Sequence, residues 1–195
     1  MSLKPHIINS ILNLPAPLYK RTNDIGNITL WRRDVIKCIT DKTKAFNSCA
    51  VITELVHIST NFQFLLINVH LKAGLNSCCK DRGDQMKSCL KNFKNSPTCI
   101  CGDFNEELDI NLSGSKILCA RDVLDKHNFV IPFPQITCDV YWHEDRTHYY
   151  HAFDHVVVYD LETIIEKCPE PNPIPNMNEP SDHFPLIFYI KKDSY

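Results

Sequence analysis

Residues 98–105 read Thr-Cys-Ile-Cys-Gly-Asp-Phe-Asn, and the organisation of the chain follows from this stretch. Residues 98–101 are expected to form a short buried strand, because the run is mostly apolar or β-branched and leads directly into Gly102. Asp103 and Asn105 then alternate along what should be an extended segment, so their side chains are predicted to lie on one face. A carboxylate and an amide carbonyl on one face suit a hard divalent cation or an oriented water.

The sequence before this strand predicts a β-hairpin followed by an amphipathic helix. Residues 50–58 and 62–71 are two β-rich runs separated by three polar residues, which is the pattern of a hairpin. Residues 81–95 then carry apolar side chains at helical spacing with lysines between them, and Pro97 ends the segment. Residues 27–32, just after Gly26, are a further strand candidate.

The sequence after residue 105 predicts one more helix and two strands. The helix covers residues 115–127, and the strands cover residues 153–159 and 184–190, with a proline-rich stretch at 169–180 between them. Four histidines crowd one segment, but no two have assured ligand geometry, so a polar loop leading into a strand is preferred over a zinc site; they are His143, His148, His151 and His155. The order of elements predicts a mixed α/β or α+β layered domain.

Composition excludes several classes of protein. At 195 residues with 44% hydrophobic content, the chain suits one domain, and a net charge of −2 provides no general attraction for nucleic acid. The start of the chain is too interrupted by polar residues and prolines for a secretion signal, and no run approaches the length of a membrane span. The ten cysteines are therefore interpreted as reduced thiols, and a cytoplasmic or nuclear location, with no membrane partner, is expected.

Three further segments place a polar residue at the end of an apolar β run, where sites are often built. They are Asn-Val-His-Leu at 68–71, Phe-Asp-His-Val at 153–156, and Pro-Ser-Asp-His-Phe-Pro-Leu at 180–186. A catalytic histidine needs a partner that orients its second ring nitrogen. Asp154, at the head of a strand, is the natural candidate for orienting His183.

Together, in this order, the four segments resemble the signature of the endonuclease/exonuclease/phosphatase superfamily. Residues 70–73 (His-Leu-Lys-Ala) and 101–105 (Cys-Gly-Asp-Phe-Asn) are similar to its deadenylase and nocturnin branch. Arg82 and Gln85 stand on the next helix, where that branch often has an Arg and a Gln, and Trp142 resembles a tryptophan that precedes its final Asp strand. The resemblance implies the DNase I-like four-layer α/β sandwich.

The resemblance also implies roles for individual residues. Mg²⁺, or Mn²⁺, is expected at three of them: Asp103, Asn105 and Asp182. Asp103 and Asn105 would also position the attacking water. His183, oriented by Asp154, and His70 would contact the scissile phosphate. The substrate is expected to meet four residues in all: His70, Lys72, Arg82 and Trp142.

The N-terminal part of the superfamily pattern has no counterpart here. An Asn on the first strand and a Glu that is the main magnesium ligand should precede a segment like 26–32, yet no Glu occurs before Glu54, which is interpreted as an exposed sheet residue. The domain, residues 26–195, is therefore expected to be N-terminally truncated, with residues 1–25 of uncertain structure. Three explanations remain open: a fragment, completion of the sheet by a partner chain or by self-association, or a pseudoenzyme.

The leading functional hypothesis is a magnesium-dependent 3′-exoribonuclease of deadenylase type acting on poly(A)-like RNA. A phosphatase acting on the 2′-phosphate of NADP(H), a phosphorylated nucleotide, is the closest alternative. It is suggested by Lys72 and weakened by Gly74, which stands where nocturnin-like proteins have an arginine. A binding protein with impaired catalysis is the third hypothesis, because the main metal carboxylate is missing.

Overall fold

The computed structural model describes residues 27, 29, 31–39, 44–46, 49–74, 78–108, 119–132, 136–142, 147–166, 183 and 186–192. Their strands are β1 (Ile36–Cys38), β2 (Lys44–Phe46), β3 (Ala50–His57), β4 (Phe62–His70), β5 (Thr98–Asp103), β6 (Cys138–Trp142), β7 (Thr147–His151), β8 (Asp154–Tyr159), β9 (Leu161–Glu166) and β10 (Ile187–Lys192). Their helices are α1 (Cys79–Leu90) and α2 (Ala120–Lys126).

A six-stranded mixed sheet is the centre of the fold. Its order is β1-β3-β4-β5-β8, and β2 pairs with β3 beside β1. The predicted hairpin is confirmed as the antiparallel pair β3–β4, whereas β5 runs parallel to β4 and antiparallel to β8. Where β4 and β5 run side by side, Gly102 has a φ of +128°, and a Cβ added there would lie 2.1 Å from the carbonyl oxygen of Val69. Only glycine therefore fits this position.

The central sheet is buried on both faces, as the apolar runs predicted. On one face, Ile100 and Val157 pack with Met86 of α1 and Leu124 of α2. On the other face, the alternate residues of the same strands pack against the antiparallel pair β9–β10; they are Cys99, Val156 and Val158, in contact with Ile165 and Phe188. The domain is thus a mixed α/β layered structure, with helices on one side of the sheet and a second, smaller sheet on the other.

Two expected elements differ from those observed, and a third is confirmed over its described residues. The helix predicted at 81–95 spans Cys79–Leu90, because the chain turns after it and Asn95 adopts a left-handed φ of 52°. The second helix is confirmed over Ala120–Lys126, and residues 115–118 lie outside the described residues. At residues 27, 29, 31 and 32 no strand is formed, so the strand predicted there is wrong at those positions.

The histidine-rich segment, predicted as a loop, is instead largely a hairpin. β6 and β7 pair from Cys138 with His151 to Trp142 with Thr147. A run such as Thr-His-Tyr-Tyr-His has high β-propensity, and cross-strand pairing satisfies its backbone groups. The loop was predicted because the segment is polar, and its β-propensity was overlooked.

A cleft of about 750 Å³ opens on the helical side of the sheet. Its lining includes Glu54 of β3, Gln63 and Phe64 of β4, and Phe93 and Lys94 after α1. Glu54 is half-buried there, which corrects its expected exposure. Because this cleft lies at the start of β4, it is separated from the polar residues at the end of that strand. Among the described helices, none is long and apolar enough to cross a membrane.

Candidate active site

Three of the predicted site residues lie in one row across the central sheet. His70 ends β4 and is in register with Asp103 at the end of β5. Asp103 is in turn in register with Asp154 at the start of β8. Residues directly opposite one another in neighbouring strands project from the same face, so the three side chains emerge together at one edge of the sheet.

This row lies on the sheet face that β9–β10 covers. Cys99, Cys101 and Asp103 alternate along β5, and the two cysteines belong to the core against β9–β10. The side-chain period of a strand places Asp103 on that same face, at the point where the apolar contacts end. Because side chains alternate along β5, the Asp103 carboxylate lies at the edge of the buried core formed by the two cysteines.

His183 joins the row from the segment before β10. Its Nδ1 lies 2.7 Å from Oδ2 of Asp154. Because a carboxylate only accepts hydrogen bonds, Nδ1 carries the hydrogen and Nε2 faces the rest of the site. The hydrogen bond to Asp154, and a second contact with the thiol of Cys138, raise the pKa of His183 to about 11. The sequence predicted this pairing, and the structure brings the two side chains together.

Asp103 occupies the centre of the cluster. Its Oδ2 lies 3.6 Å from Nε2 of His70 and 4.0 Å from Nε2 of His183. Burial raises the pKa of Asp103, and the neighbouring Asp154 carboxylate adds to the effect, while a backbone hydrogen bond from Asn105 opposes it. Asp103 is therefore a better proton acceptor than a solvated aspartate, with one imidazole on each side.

Asn105 reaches the site by a different route from the one expected. The strand ends at Asp103, and Asn105 adopts a left-handed φ of 49°, so the segment is not extended through residue 105. Its backbone N–H donates to Oδ1 of Asp103 (2.7 Å), and its side-chain amide donates to Oδ2 of Asp103 (3.0 Å) and to the carbonyl of Leu71 (3.1 Å). Asn105 thus holds the Asp103 carboxylate in place through a turn.

Arg82 was expected to contact substrate, and the structure corrects this expectation. Its side chain is only 2% exposed, and its Nε donates to Oε2 of the buried Glu106 across 3.1 Å. Its Nη1 donates to the carbonyls of Lys72 and Gly74. Because its donors are used inside the protein, Arg82 positions the loop after His70.

Glu106 carries the same network into the loop after Asp103. Its carboxylate also accepts the backbone N–H groups of Ala120 and Arg121, at the start of α2. Its own carbonyl accepts a hydrogen bond from Nε2 of the buried His155, 2.9 Å away. The loops that follow β4 and β5 are therefore tied to each other and to both helices by one buried ion pair.

Within the described part of the chain, no contact with the Asp103 cluster is established for the remaining predicted site residues. Lys72 follows His70 with an exposed side chain, and its backbone N–H donates to Oε1 of Gln85 (2.8 Å). Trp142 ends β6, four residues beyond Cys138, which forms an isolated bridge with His183. Asp182, predicted at the metal, lies outside the described residues.

The described residues do not by themselves fit a divalent cation. No group of three or more metal-ligating side chains occurs among them. Both oxygens of the Asp103 carboxylate accept hydrogen bonds from Asn105, and the side-chain amide of Asn105 is turned as a donor rather than presenting its carbonyl. A hard cation requires several oxygen ligands. In this part of the chain, hydrogen bonds and close charge contacts hold the cluster together.

Sequence reasoning missed three residues in or tied to the cluster and one more, Asn27, that contacts the backbone before His70. Glu106 follows the Gly-Asp-Phe-Asn stretch but has no partner recognisable from spacing, since Arg82 lies 24 positions away. Thr137 accepts the backbone N–H of Asp154 on Oγ1 (2.9 Å), and Cys138 packs beside His183. Asn27 donates to the carbonyls of Cys49 and Asn68. The one signal available in the sequence was the position of Glu106, an acidic residue directly after the Gly-Asp-Phe-Asn motif.

Solved structures share this arrangement of strands and helices. A functionally unknown conserved protein from Enterococcus faecalis V583 matches with a TM-score of 0.58 and 20% identity, over 84% of this chain and 69% of that one. An endonuclease/exonuclease/phosphatase protein from Bacteroides vulgatus matches with a TM-score of 0.54 and 14% identity, over 84% and 69%. The fold is DNase I-like.

The human Nocturnin catalytic domain with bound sulfate has the same DNase I-like fold, with a TM-score of 0.54 and 18% identity over 82% of this chain. The chain spans 62% of that domain's length. No protein-family model and no curated protein sequence matches the chain. At these identities, the likeness shows a shared fold only.

Proposed function

We propose that this protein is a phosphoesterase of the deadenylase type, which removes nucleotides from the 3′ end of poly(A)-like RNA. One observation carries the proposal: Oδ2 of Asp103 lies between Nε2 of His70 and Nε2 of His183, at 3.6 and 4.0 Å. Phosphoryl transfer needs positioning and charge neutralisation more than covalent chemistry. Two imidazoles beside one carboxylate supply both.

Asp103 is the proton acceptor in this proposal, because burial raises its pKa toward the range in which a carboxylate takes up a proton. One proton of the attacking water passes to Asp103 while the new P–O bond forms and the P–O3′ bond breaks. His183, held as an imidazolium by Asp154, faces the phosphate and returns a proton to the leaving 3′ oxygen. The products are AMP and an RNA shortened by one nucleotide.

His70 is the second phosphate contact of the proposal. It projects from the same face as Asp103, and its backbone N–H is fixed by the carbonyl of Cys49 at 2.8 Å. It offers a hydrogen-bond donor on the side of Asp103 opposite His183. Lys72, two residues later, has an exposed side chain.

A divalent cation, Mg²⁺ or Mn²⁺, belongs to the proposal through the resemblance of the sequence motifs. It would neutralise charge on the phosphate. Calorimetric titration with MgCl₂ tests this part directly. We expect binding that Asp182→Ala abolishes, and heats indistinguishable from dilution would remove the cation from the proposal.

The activity is tested with purified protein, MgCl₂ and 5′-labelled oligo(A). We expect the RNA to shorten by single nucleotides from its 3′ end with release of AMP. Asp103→Asn and His183→Gln should each lower the rate by about 100-fold or more, the contribution of general acid–base catalysis. His57→Gln is the matched control, because this half-buried histidine ends β3 beside the start of β4, at the opposite end of the sheet from His70.

Two other outcomes would replace the proposal. Release of phosphate from NADPH, with oligo(A) left intact, would favour the 2′-phosphatase, for which the exposed Lys72 beside His70 is the supporting observation. Binding of oligo(A) without cleavage would favour an impaired binding protein. The lack of a three-ligand metal group in the described residues supports that reading.

A further inference from the structure

A second carboxylate–imidazole pair lies beside the candidate active site. Nδ1 of His151, at the end of β7, is 2.9 Å from Oε1 of Glu107, in the loop after β5. The arrangement repeats that of His183 with Asp154, since each histidine uses Nδ1 toward its carboxylate. The two imidazoles are also similarly accessible, with 32% of the His151 side chain and 29% of the His183 side chain exposed.

The ring of His151 is held in a defined plane. It stacks on Phe153 with a centroid distance of 4.5 Å and an interplanar angle of 4°. The carbonyl of Phe153 accepts the backbone N–H of Phe104 at 2.8 Å, which fixes this support to the residue after Asp103. In the described part of the chain, Nε2 of His151 has no hydrogen-bond partner. The imidazole is therefore rigidly placed, with one nitrogen available to a ligand.

Backbone pairing places both histidines on one face. Cys138 of β6 is in register with His151 on one side and forms an antiparallel bridge with His183 on the other. Residues in register project from the same face, so the two imidazoles lie two strands apart. Two strand spacings amount to about 10 Å. Neighbouring phosphates of one extended nucleic-acid strand fit within such a span.

Thr137 connects the two pairs. Its backbone N–H donates to the carbonyl of His151 at 2.9 Å, and its Oγ1 accepts the backbone N–H of Asp154 at 2.9 Å. Thr137 therefore fixes the position of the His151–Glu107 pair relative to the His183–Asp154 pair. A fixed spacing is what recognition of a repeating anion requires.

We propose that His151, oriented by Glu107, binds the phosphate adjacent to the scissile one in a single-stranded oligoribonucleotide. This inference rests on the proposed function and specifies the class of substrate for the same site. A substrate with two or more phosphates along one strand engages both imidazoles, whereas a substrate with one phosphate engages only the catalytic one. The Glu107 carboxylate accepts from Nδ1 and the phosphate accepts from Nε2, so that both ring nitrogens donate hydrogen bonds.

The first experiment compares ApA, which has one phosphate, with ApApA, which has two. We expect wild-type kcat/KM to be about tenfold higher for ApApA, the effect of one charge-assisted hydrogen bond. His151→Phe should remove this gain while leaving the rate on ApA unchanged, because phenylalanine keeps the stack on Phe153 without ring nitrogens. Glu107→Gln should reduce the gain only in part, and the control His57→Phe should retain it.

The second experiment is independent of turnover. Fluorescence anisotropy of 5′-labelled oligo(A) in EDTA, measured over a series of KCl concentrations, gives the number of phosphate contacts. His151→Phe should lower the slope of log K against log salt by about 0.7, the value of one phosphate contact on a single strand. His57→Phe should leave the slope unchanged.

The two experiments separate the inference from the proposed function. Equal wild-type kcat/KM on ApA and ApApA would overturn the inference and leave the phosphoesterase intact. Oligo(A) binding without cleavage would overturn the proposed activity, and the salt slope of His151→Phe would then support or reject the phosphate contact. A wild-type protein that binds no oligo(A) would overturn the inference outright.

Discussion

Asp154 and His183 lie 29 positions apart in the sequence and are joined by a hydrogen bond of 2.7 Å between Oδ2 and Nδ1. The contact fixes the imidazole plane and directs Nε2 toward Asp103, 4.0 Å away. It also makes His183 a cation over most of the accessible pH range, because the pKa is raised to about 11. Orientation and charge of this ring thus both depend on one carboxylate.

Asp154→Asn tests that dependence. An amide cannot stabilise the imidazolium as a carboxylate does, so we expect the pKa of His183 to fall and the rate on oligo(A) to drop by about 10–100-fold. Nitrogen chemical shifts of the imidazole report the first change and steady-state kinetics the second. Asp81→Asn, an exposed position on α1, is the control. An unchanged imidazole titration would remove Asp154 from its orienting role.

The same contact predicts a pH dependence of stability. The folded-state pKa of His183 is raised from 6.5 to about 11, so the folded state binds more protons than the unfolded state between these values. The stabilisation is fully present below about pH 6.5 and is lost as the pH rises through about 11. In urea denaturation, the difference between the wild type and Asp154→Asn should therefore be largest in mild acid and shrink in base. A difference that grows with pH would contradict the assignment.

The buried pair of Arg82 and Glu106 predicts strong coupling. Removing one partner leaves an uncompensated buried charge, so Arg82→Met or Glu106→Gln alone should cost about 3–5 kcal/mol of unfolding free energy. The double variant should cost clearly less than the sum of the two. Lys80→Met, which breaks the exposed pair with Asp84, should cost under about 1 kcal/mol and serves as the control in the same denaturation series. If the two single losses of unfolding free energy simply add in the double variant, Arg82 and Glu106 are not energetically coupled.

Much of this architecture was predictable because local patterns determine it. Alternation in residues 98–103 places Asp103 at the rim of a buried strand, and turn residues between 58 and 62 predict the β3–β4 hairpin. The expectation that Asp154 lies beside His183 followed from the need of a histidine for an orienting carboxylate. The DNase I-like fold followed from the order of the motifs.

What the sequence concealed depends on contacts between distant segments. Arg82 has the appearance of a substrate-binding cation, and only tertiary packing shows its side chain buried against Glu106. Asn105 follows a strand, but its left-handed backbone cannot be inferred from alternation. Likewise, the sequence shows His151 only as one of several histidines in a polar segment. The pairing of β6 with β7 determines on which face of the hairpin its side chain lies.

The outer face of β9–β10 predicts self-association. Ile164 and Tyr189 are directly paired and are 60% and 55% exposed, with Ile187 beside them. An exposed apolar face on a two-stranded sheet favours contact with another chain. We expect concentration-dependent association in sedimentation velocity, reduced by Ile164→Thr combined with Tyr189→Thr. Ile58→Thr, at an exposed position in the β3–β4 turn, should not reduce it. A wild-type monomer at every concentration would dismiss the expectation.

Gly102 and His183 show that two different requirements act on the motif segments of this chain. Any side chain there would meet the Val69 carbonyl at 2.1 Å on a backbone with a φ of +128°, so no substitution preserves the pairing of β4 with β5. In a saturation library sorted only for expression, variants at Gly102 should disappear, whereas variants at the half-exposed His183 should survive until the library is sorted for turnover. The motif segments, which together look like one functional signature, therefore meet two independent requirements, close backbone packing and turnover, and a two-stage screen tells them apart.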